Sequence, residues 1–380
     1  MKATALEVKE GKVSFKRENG TEIMVPMDKL IEVDREFLTK HFELGGGAPE
    51  PVAGEAADDL GFPLGETSGE LDCGGGAHCF FYLPESLQKG SDHPVLFIMS
   101  PGGGSAGTVK RYIDGAERSR WILVVSKESK NGNDASGAAI LAMIKFTKDK
   151  LPVDEKRMYV SGFSGGSRMA YWASQQDKKI AGVIACGAGG DIGSSKQVVY
   201  GLCGSNCFNR SDMANSFKDV KHKGAILRYF EGKHAWANDE MCDDAITHLN
   251  GVFLEKNKSK YPDDYSHHVQ QVGELIKEAN ADGDVKRAYM WADTLTRRSM
   301  SNPEAARVLV ALGHDDANIM FVKGLYDIRE FAEKTFGAIS SSQWQADPKV
   351  SAACKKEARK YAGSYWENIL EKMSADAQKF

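Results

Sequence analysis

From about Asp72 onward the sequence is punctuated by short, nearly unbroken apolar runs: "HPVLFIMS", "WILVVS", "RMYVSG", "IAGVIACG", "QVVYGLC" and "AILRYF". Runs this short and this apolar read as strands buried on both faces. Between several of them lie stretches with helical spacing, such as "ASGAAILAMIKFTKDKL" and "SRMAYWASQQ". Strands that alternate with helices predict an α/β fold with a mostly parallel sheet covered on both sides. After Phe253 the strand signals stop. "SHHVQQVGELIKEANADGDVKRAYMWADTLTRR", "NPEAARVLVALG", "DDANIMFVKGLYDIREFAEKTFG" and "KKEARKYAGSYWENILEKMSADAQKF" all have helical spacing, with no convincing fixed-period repeat.

The first residues follow a different pattern. "ALEVKEGKVSFKRENGTEIMVPMDKL" alternates like short strands around the hairpin signal "ENG", and "PMDKLIEVDREFLTKHF" then turns helical. The stretch "GKVSFKRENGTEIMVPMDKLIEVDREFL" carries K-V-x-F, N-G-x-E-I and V-P-x-x-K-L-x-x-x-D elements. It resembles the Sla homology domain, a small SH3-like module also found attached to bacterial secreted or envelope hydrolases. That resemblance implies a packing or recognition module, with protein or envelope contacts, rather than chemistry. A segment rich in Gly, Ala and Pro, "ELGGGAPEPVAGEAADD", follows and reads as a linker. The chain of 380 residues is long for one domain. The expected division is a β-rich module over residues 1–45, a linker over 46–71, an α/β domain over 72–257 and a helical region over 258–380.

The centre of interest is "YVSGFSGGSRMAYWAS", Tyr159 to Ser174. Gly162-Phe163-Ser164-Gly165-Gly166 fits G-x-S-x-G between a strand and a helix. Such a turn is tight, so its flanking positions must be nearly free of side chain. It lifts the serine oxygen into the crevice at the carboxyl end of the sheet. Ser164 is therefore the candidate nucleophile. A serine nucleophile needs a base and an oxyanion site. In "FEGKHAWAND", His234 follows the apolar run "AILRY" and falls in a loop at the same sheet end. In "IMSPGGGSAG", Gly102, Gly103 and Gly104 follow another strand. One of their N–H groups, with that of Gly165, could hold a tetrahedral oxyanion. A dinucleotide site fits poorly, because "GGGSAG" lacks the full spacing and no acid ends "WILVVS".

Composition narrows the classes. An apolar fraction of 42% supports a core, and a net charge of −4 without a basic stripe argues against nucleic acid. No apolar run reaches the roughly 18 residues of a membrane span. The start, "MKATALEVKEGKVSF", lacks a signal core, so the expected location is cytoplasmic, or periplasmic or secreted if a leader has been removed. Two close cysteine pairs, Cys73 with Cys79 and Cys203 with Cys207, could each close a small disulfide in an oxidising compartment. A zinc site is weakly signalled, because no second close ligand pair has suitable spacing.

Together, "PVLFIMSPGGGSAG", "MYVSGFSGGSRMA", "IAGVIACGAGG" and "RYFEGKHAWA" resemble an α/β-hydrolase of the esterase family that includes polyhydroxybutyrate depolymerases, feruloyl esterases and dienelactone-type hydrolases. The last segment is similar to that family's G-x-H-x-W-P, with His234 and Trp236 in register. The resemblance implies an acyl-enzyme mechanism, Ser164 as nucleophile, His234 as base, and no metal or organic cofactor. Phe163 and Trp236 are expected to meet a small or polymeric ester.

The chain departs from that family at two places. Its usual Asp lies in G-x-x-D-F-N, and here "YGLCGSNCFNRSDM" places Cys207 at that position. A thiol does not do the carboxylate's work of fixing the imidazole tautomer. Asp212 is the nearest substitute and Asp191 the runner-up. The oxyanion segment reads Ser100-Pro101-Gly102-Gly103-Gly104 in place of H-G-x-G-G, with Gly102, Gly103 and Gly165 as candidate donors. The expected activity is serine-dependent carboxylic ester hydrolysis. A non-catalytic binding protein on the same scaffold and a serine peptidase of the same fold are the alternatives.

Overall fold

The computed structural model describes residues 3–9, 12–17, 22–26, 29, 60–88, 90–194, 196–336 and 347–376. The chain divides into two compact units, Met1–Ala56 and Ala57–Phe380. In the first, β1 (Ala3–Lys9), β2 (Lys12–Arg17) and β3 (Glu22–Pro26) form an antiparallel sheet in that order. Val13 pairs with Val8 on one side and Val25 on the other. The helical stretch expected after Lys29 and the linker up to residue 59 lie outside the described residues.

The second unit is built on eight strands: β4 (Leu71–Gly74), β5 (Ala77–Tyr82), β6 (His93–Met99), β7 (Ile122–Ser126), β8 (Val153–Phe163), β9 (Ile180–Cys186), β10 (Val198–Gly204) and β11 (Ile226–Phe230). Their order across the sheet is β11-β10-β9-β8-β6-β7-β5-β4. All pairings from β6 to β11 are parallel. The six apolar runs of the sequence are these six strands. β6, β7, β9 and β10 are buried almost throughout, which requires cover on both faces. β4 and β5 add an antiparallel edge that the apolar pattern did not announce. They are joined through Gly75 and Gly76, both at positive φ. The expected linker did not reach as far as residue 71: Leu64 and Thr67 bridge to Leu83 and Tyr82.

The layers come from α1 (Ile113–Ser119), α2 (Ser136–Lys150), α3 (Gly165–Gln176), α4 (Arg210–Ser216) and α5 (Asp239–Asn257). α2 packs on β4, β5 and β7, α3 on β6, β8 and β9, and α5 on α1 and β10. The strand order and flanking helices are those of an α/β-hydrolase fold. The chain leaves β6 towards β7 and returns through β8 towards β9, so the order reverses between β6 and β8. Ligand crevices open at the carboxyl ends of strands at such a reversal.

The helical region follows: α6 (Pro262–Ala281), α7 (Val285–Arg297), α8 (Pro303–Leu312), α9 (Asp316–Thr335), α10 (Pro348–Ala358) and α11 (Tyr365–Asp376). Asp284, Asn302, Asp315 and Asp347 cap the starts of α7 to α10 by accepting backbone N–H groups of the first turn. These helices share the core of the sheet rather than forming a separate unit. α9 packs on the edge strand β11, and Tyr365 OH donates to Tyr229 O at 2.9 Å. A buried ionic node binds the same edge. Asp244 of α5 accepts from Arg228 of β11 at 2.9 Å, Arg287 at 2.9 Å and Trp291 Nε1 at 3.1 Å. No helix among the described residues is long and apolar enough to cross a membrane.

Candidate active site

Ser164 stands between β8 and α3 with φ 53° and ψ −119°. It is one of three described non-glycine residues at positive φ, with Arg120 and Ser299. Such strain persists only where the surroundings enforce it. Here Ser164 N–H is held by Cys186 O at 2.8 Å, and the neighbouring glycines leave no room to relax. A Cβ on Gly166 would lie 2.4 Å from Met99 O, and one on Gly162 would lie 2.3 Å from Gly166 O. The turn can form only because both positions lack a side chain.

His234, in the loop after β11, places Nε2 2.8 Å from Ser164 Oγ. Both residues are half-buried. The ring of Phe163 lies 4.8 Å from the imidazole and that of Phe208 4.0 Å. Trp236 lies beside Phe163 at 5.3 Å, with the Arg111 guanidinium over its ring at 5.4 Å. The two aromatic residues singled out in the sequence, Phe163 and Trp236, thus sit together at the base. Phe208 and Arg111 were not singled out. Phe208 is half-exposed although large and apolar, and only its contact with His234 gives it meaning.

The partner of His234 Nδ1 is not Asp212. The Cys207 sulfur lies 3.2 Å from Nδ1. Asp212, in the first turn of α4, turns its Oδ2 to Arg168 Nη2 at 2.8 Å and Gly189 N–H at 3.1 Å. Beginning the helix points its carboxylate along the outside of α3, towards an exposed cation, rather than into the crevice. Asp191 is exposed. The position that the sequence marked as a departure is therefore the position that meets the imidazole, with sulfur in place of carboxylate.

Cys207 is buried and lies next to Cys203, the last but one residue of β10. Both are free thiols. Burial, and then the neighbouring sulfur, push the Cys203 thiol well above its ordinary range. The Cys207 thiol is pushed down to about 6 by the hydrogen bond from Cys203, then by those from His234 and Asn209 N–H, against its burial. In the other close pair, Cys73 and Cys79 are also free thiols, with the sulfurs 3.2 Å apart.

Of the candidate oxyanion donors, Gly103 N–H is already given to Ser100 O at 3.0 Å and Gly104 N–H to Ser126 O at 2.9 Å. These two bonds fold the glycine turn itself, so Gly103 is not available as a donor. Among the described residues, Gly102 N–H and Gly165 N–H have no backbone acceptor. Gly165 opens α3, where the first N–H groups have no partner within the helix. Asn131 crowds this point: a Cβ on Gly165 would lie 1.8 Å from its Oδ1. No group of three or more His, Cys, Asp or Glu side chains is placed to hold a metal among the described residues.

No family model matches the chain, and no curated protein sequence matches it. Solved structures that resemble it include esterases and serine hydrolases. One is an S-formylglutathione hydrolase from Staphylococcus aureus, 14% identical, with 50% of this chain and 98% of that one covered at a TM-score of 0.39. A ferulic acid esterase is 13% identical over 50% of this chain and 99% of that one, with a TM-score of 0.41. An acetyl xylan esterase from Aspergillus awamori is 13% identical over 41% and 80%, with a TM-score of 0.34.

Proposed function

We propose that the chain hydrolyses carboxylic esters through Ser164 and an acyl-enzyme. The observation that carries this reading is the 2.8 Å contact of Ser164 Oγ with His234 Nε2 at a strained strand–helix turn. As Ser164 Oγ attacks the ester carbonyl, its proton passes to Nε2. Charge gathers on the carbonyl oxygen, and the donors offered to it are Gly165 N–H and Gly102 N–H, which no backbone group among the described residues claims. Collapse expels the alcohol, which takes the proton back from Nε2. Water then repeats the sequence on the acyl-enzyme and frees the acid. The half-buried rings of Phe163 and Trp236, with Phe208, offer an apolar surface to the acyl or alcohol part.

The test uses a short-chain nitrophenyl ester and a serine-directed phosphonate. The native chain is expected to turn over the ester and to take the label. Ser164→Ala is expected to lose the label and to drop kcat/KM by about 10³-fold or more. A label that persists in the variant overturns the assignment.

A second reading is a binding protein that keeps the scaffold without turnover. One observation favours it, the thiol-bearing residue on His234 Nδ1. It predicts a native chain that neither takes the phosphonate nor turns over any ester.

A further inference from the structure

The residue on the far side of the imidazole decides which ring nitrogen carries the proton. A base needs Nε2 free to accept from Ser164, so Nδ1 must hold the hydrogen and donate it. A carboxylate enforces this because it only accepts. A neutral thiol does not, since its S–H can donate to Nδ1 and leave the hydrogen on Nε2, facing the serine.

The surroundings of the Cys207 sulfur are those of an acceptor. Asn209 N–H donates to it, the Cys203 sulfur lies beside it, and His234 Nδ1 is 3.2 Å away. The acceptor within reach, Gly187 O, is 3.8 Å away and already receives Asn209 Nδ2 at 2.8 Å. Cys203 is fully buried, and its own thiol is the one kept protonated. Cys203 has an acceptor of its own in Gly204 O at 3.6 Å, and the shortest polar contact of the Cys207 sulfur is the one with the imidazole.

We propose that Cys207 serves as a thiolate positioning residue for His234, standing in the place of the triad carboxylate. This rests on the reading of Ser164 and His234 as a catalytic pair. The thiolate holds the Nδ1–H tautomer and stabilises the imidazolium that forms when Ser164 gives up its proton. The other groups packed around the sulfur do not compete for that role. Cys186 on β9, pushed up to about 12 by burial, stays neutral. Tyr229 on β11 is also pushed up by burial and stays neutral.

The experiment compares the full-length reduced chain with Cys207→Ser and Cys207→Asp. The first readout needs no turnover: the ultraviolet absorbance of thiolate, titrated against pH. The native chain is expected to show one more thiolate near neutral pH than Cys207→Ser. Equal titration curves overturn the proposal. The second readout is kcat/KM. Cys207→Ser, with a melting temperature near the native one, is expected to lose about 10³-fold or more. Cys207→Asp, where it folds, is expected to regain most of the loss. A Cys207→Ser chain that keeps native turnover also overturns the proposal. Phosphonate labelling separates the two claims: a native chain that titrates a thiolate yet takes no label defeats the esterase reading and leaves the state of Cys207 standing.

Discussion

Asp212 and Cys207 are five positions apart in one loop-to-helix segment, and their environments assign them opposite tasks. Asp212 faces Arg168 across two half-exposed side chains, 35% and 52% accessible. Pairs of this kind contribute about 0–1 kcal/mol. Asp212→Asn should therefore leave ester turnover within about threefold and lower stability by no more than about 1 kcal/mol. The paired measurements are kcat/KM and thermal unfolding. A loss of turnover approaching the 10⁴-fold expected for a triad acid would return Asp212 to the site.

At the scale of elements, the turn between β8 and α3 works because strand and helix touch backbone to backbone. Gly166 sits against Met99 of β6, and a Cβ there would be 2.4 Å from the Met99 carbonyl oxygen. That oxygen belongs to a strand locked on both sides by β7 and β8, so it cannot move aside cheaply. Gly166→Ala is expected to cost about 1–3 kcal/mol or more by overpacking. It should also displace Ser164 Oγ from His234. Melting temperature reads the first effect and phosphonate labelling rate the second. An alanine variant with native stability and labelling would show that α3 shifts freely on β6. The loop after β6 follows the same logic, because Gly103 and Gly104 give their N–H groups to folding the turn.

Over the whole molecule, neighbouring carboxylates on α5 show how the helical region and the sheet share one electrostatic core. Asp244 is buried, yet Arg287 and Arg228 outweigh the burial and hold its pKa below the ordinary range. Asp243, buried against α1, accepts Gly115 N–H at 2.8 Å, and burial pushes it up to about 8. In an unfolded chain an Asp ionises near about 4. Between roughly that pH and about 8 the unfolded chain has released this proton while the folded one keeps it. Asp243 therefore lowers folding stability progressively as pH rises through that window. Asp243→Asn retains an acceptor for Gly115 N–H and removes the titration. Its gain in melting temperature should be small near pH 4 and largest at about pH 8. A gain that does not vary with pH would assign the effect to packing instead.

The six parallel strands were legible because residues buried on both faces must be apolar without interruption, as in "HPVLFIM" of β6. Ser164 was legible because a tight strand-to-helix turn restricts its flanking residues to glycine, and His234 because it follows a strand towards the same sheet end. The antiparallel pair β4–β5 was not legible, since polar residues and three glycines break its apolar pattern. Nor was the docking of α6 to α11 on the sheet unit, because an amphipathic helix records that it has a buried face but not what covers it. The partner of His234 could not be chosen from chemical type alone. Residue preference pointed to a carboxylate, and Asp212 had the right chain order. Only the folded chain shows that α4 turns Asp212 towards Arg168 while the end of β10 brings Cys207 to Nδ1. Sequence spacing sets which groups can reach a site, and the direction in which each backbone segment leaves the sheet decides which one does.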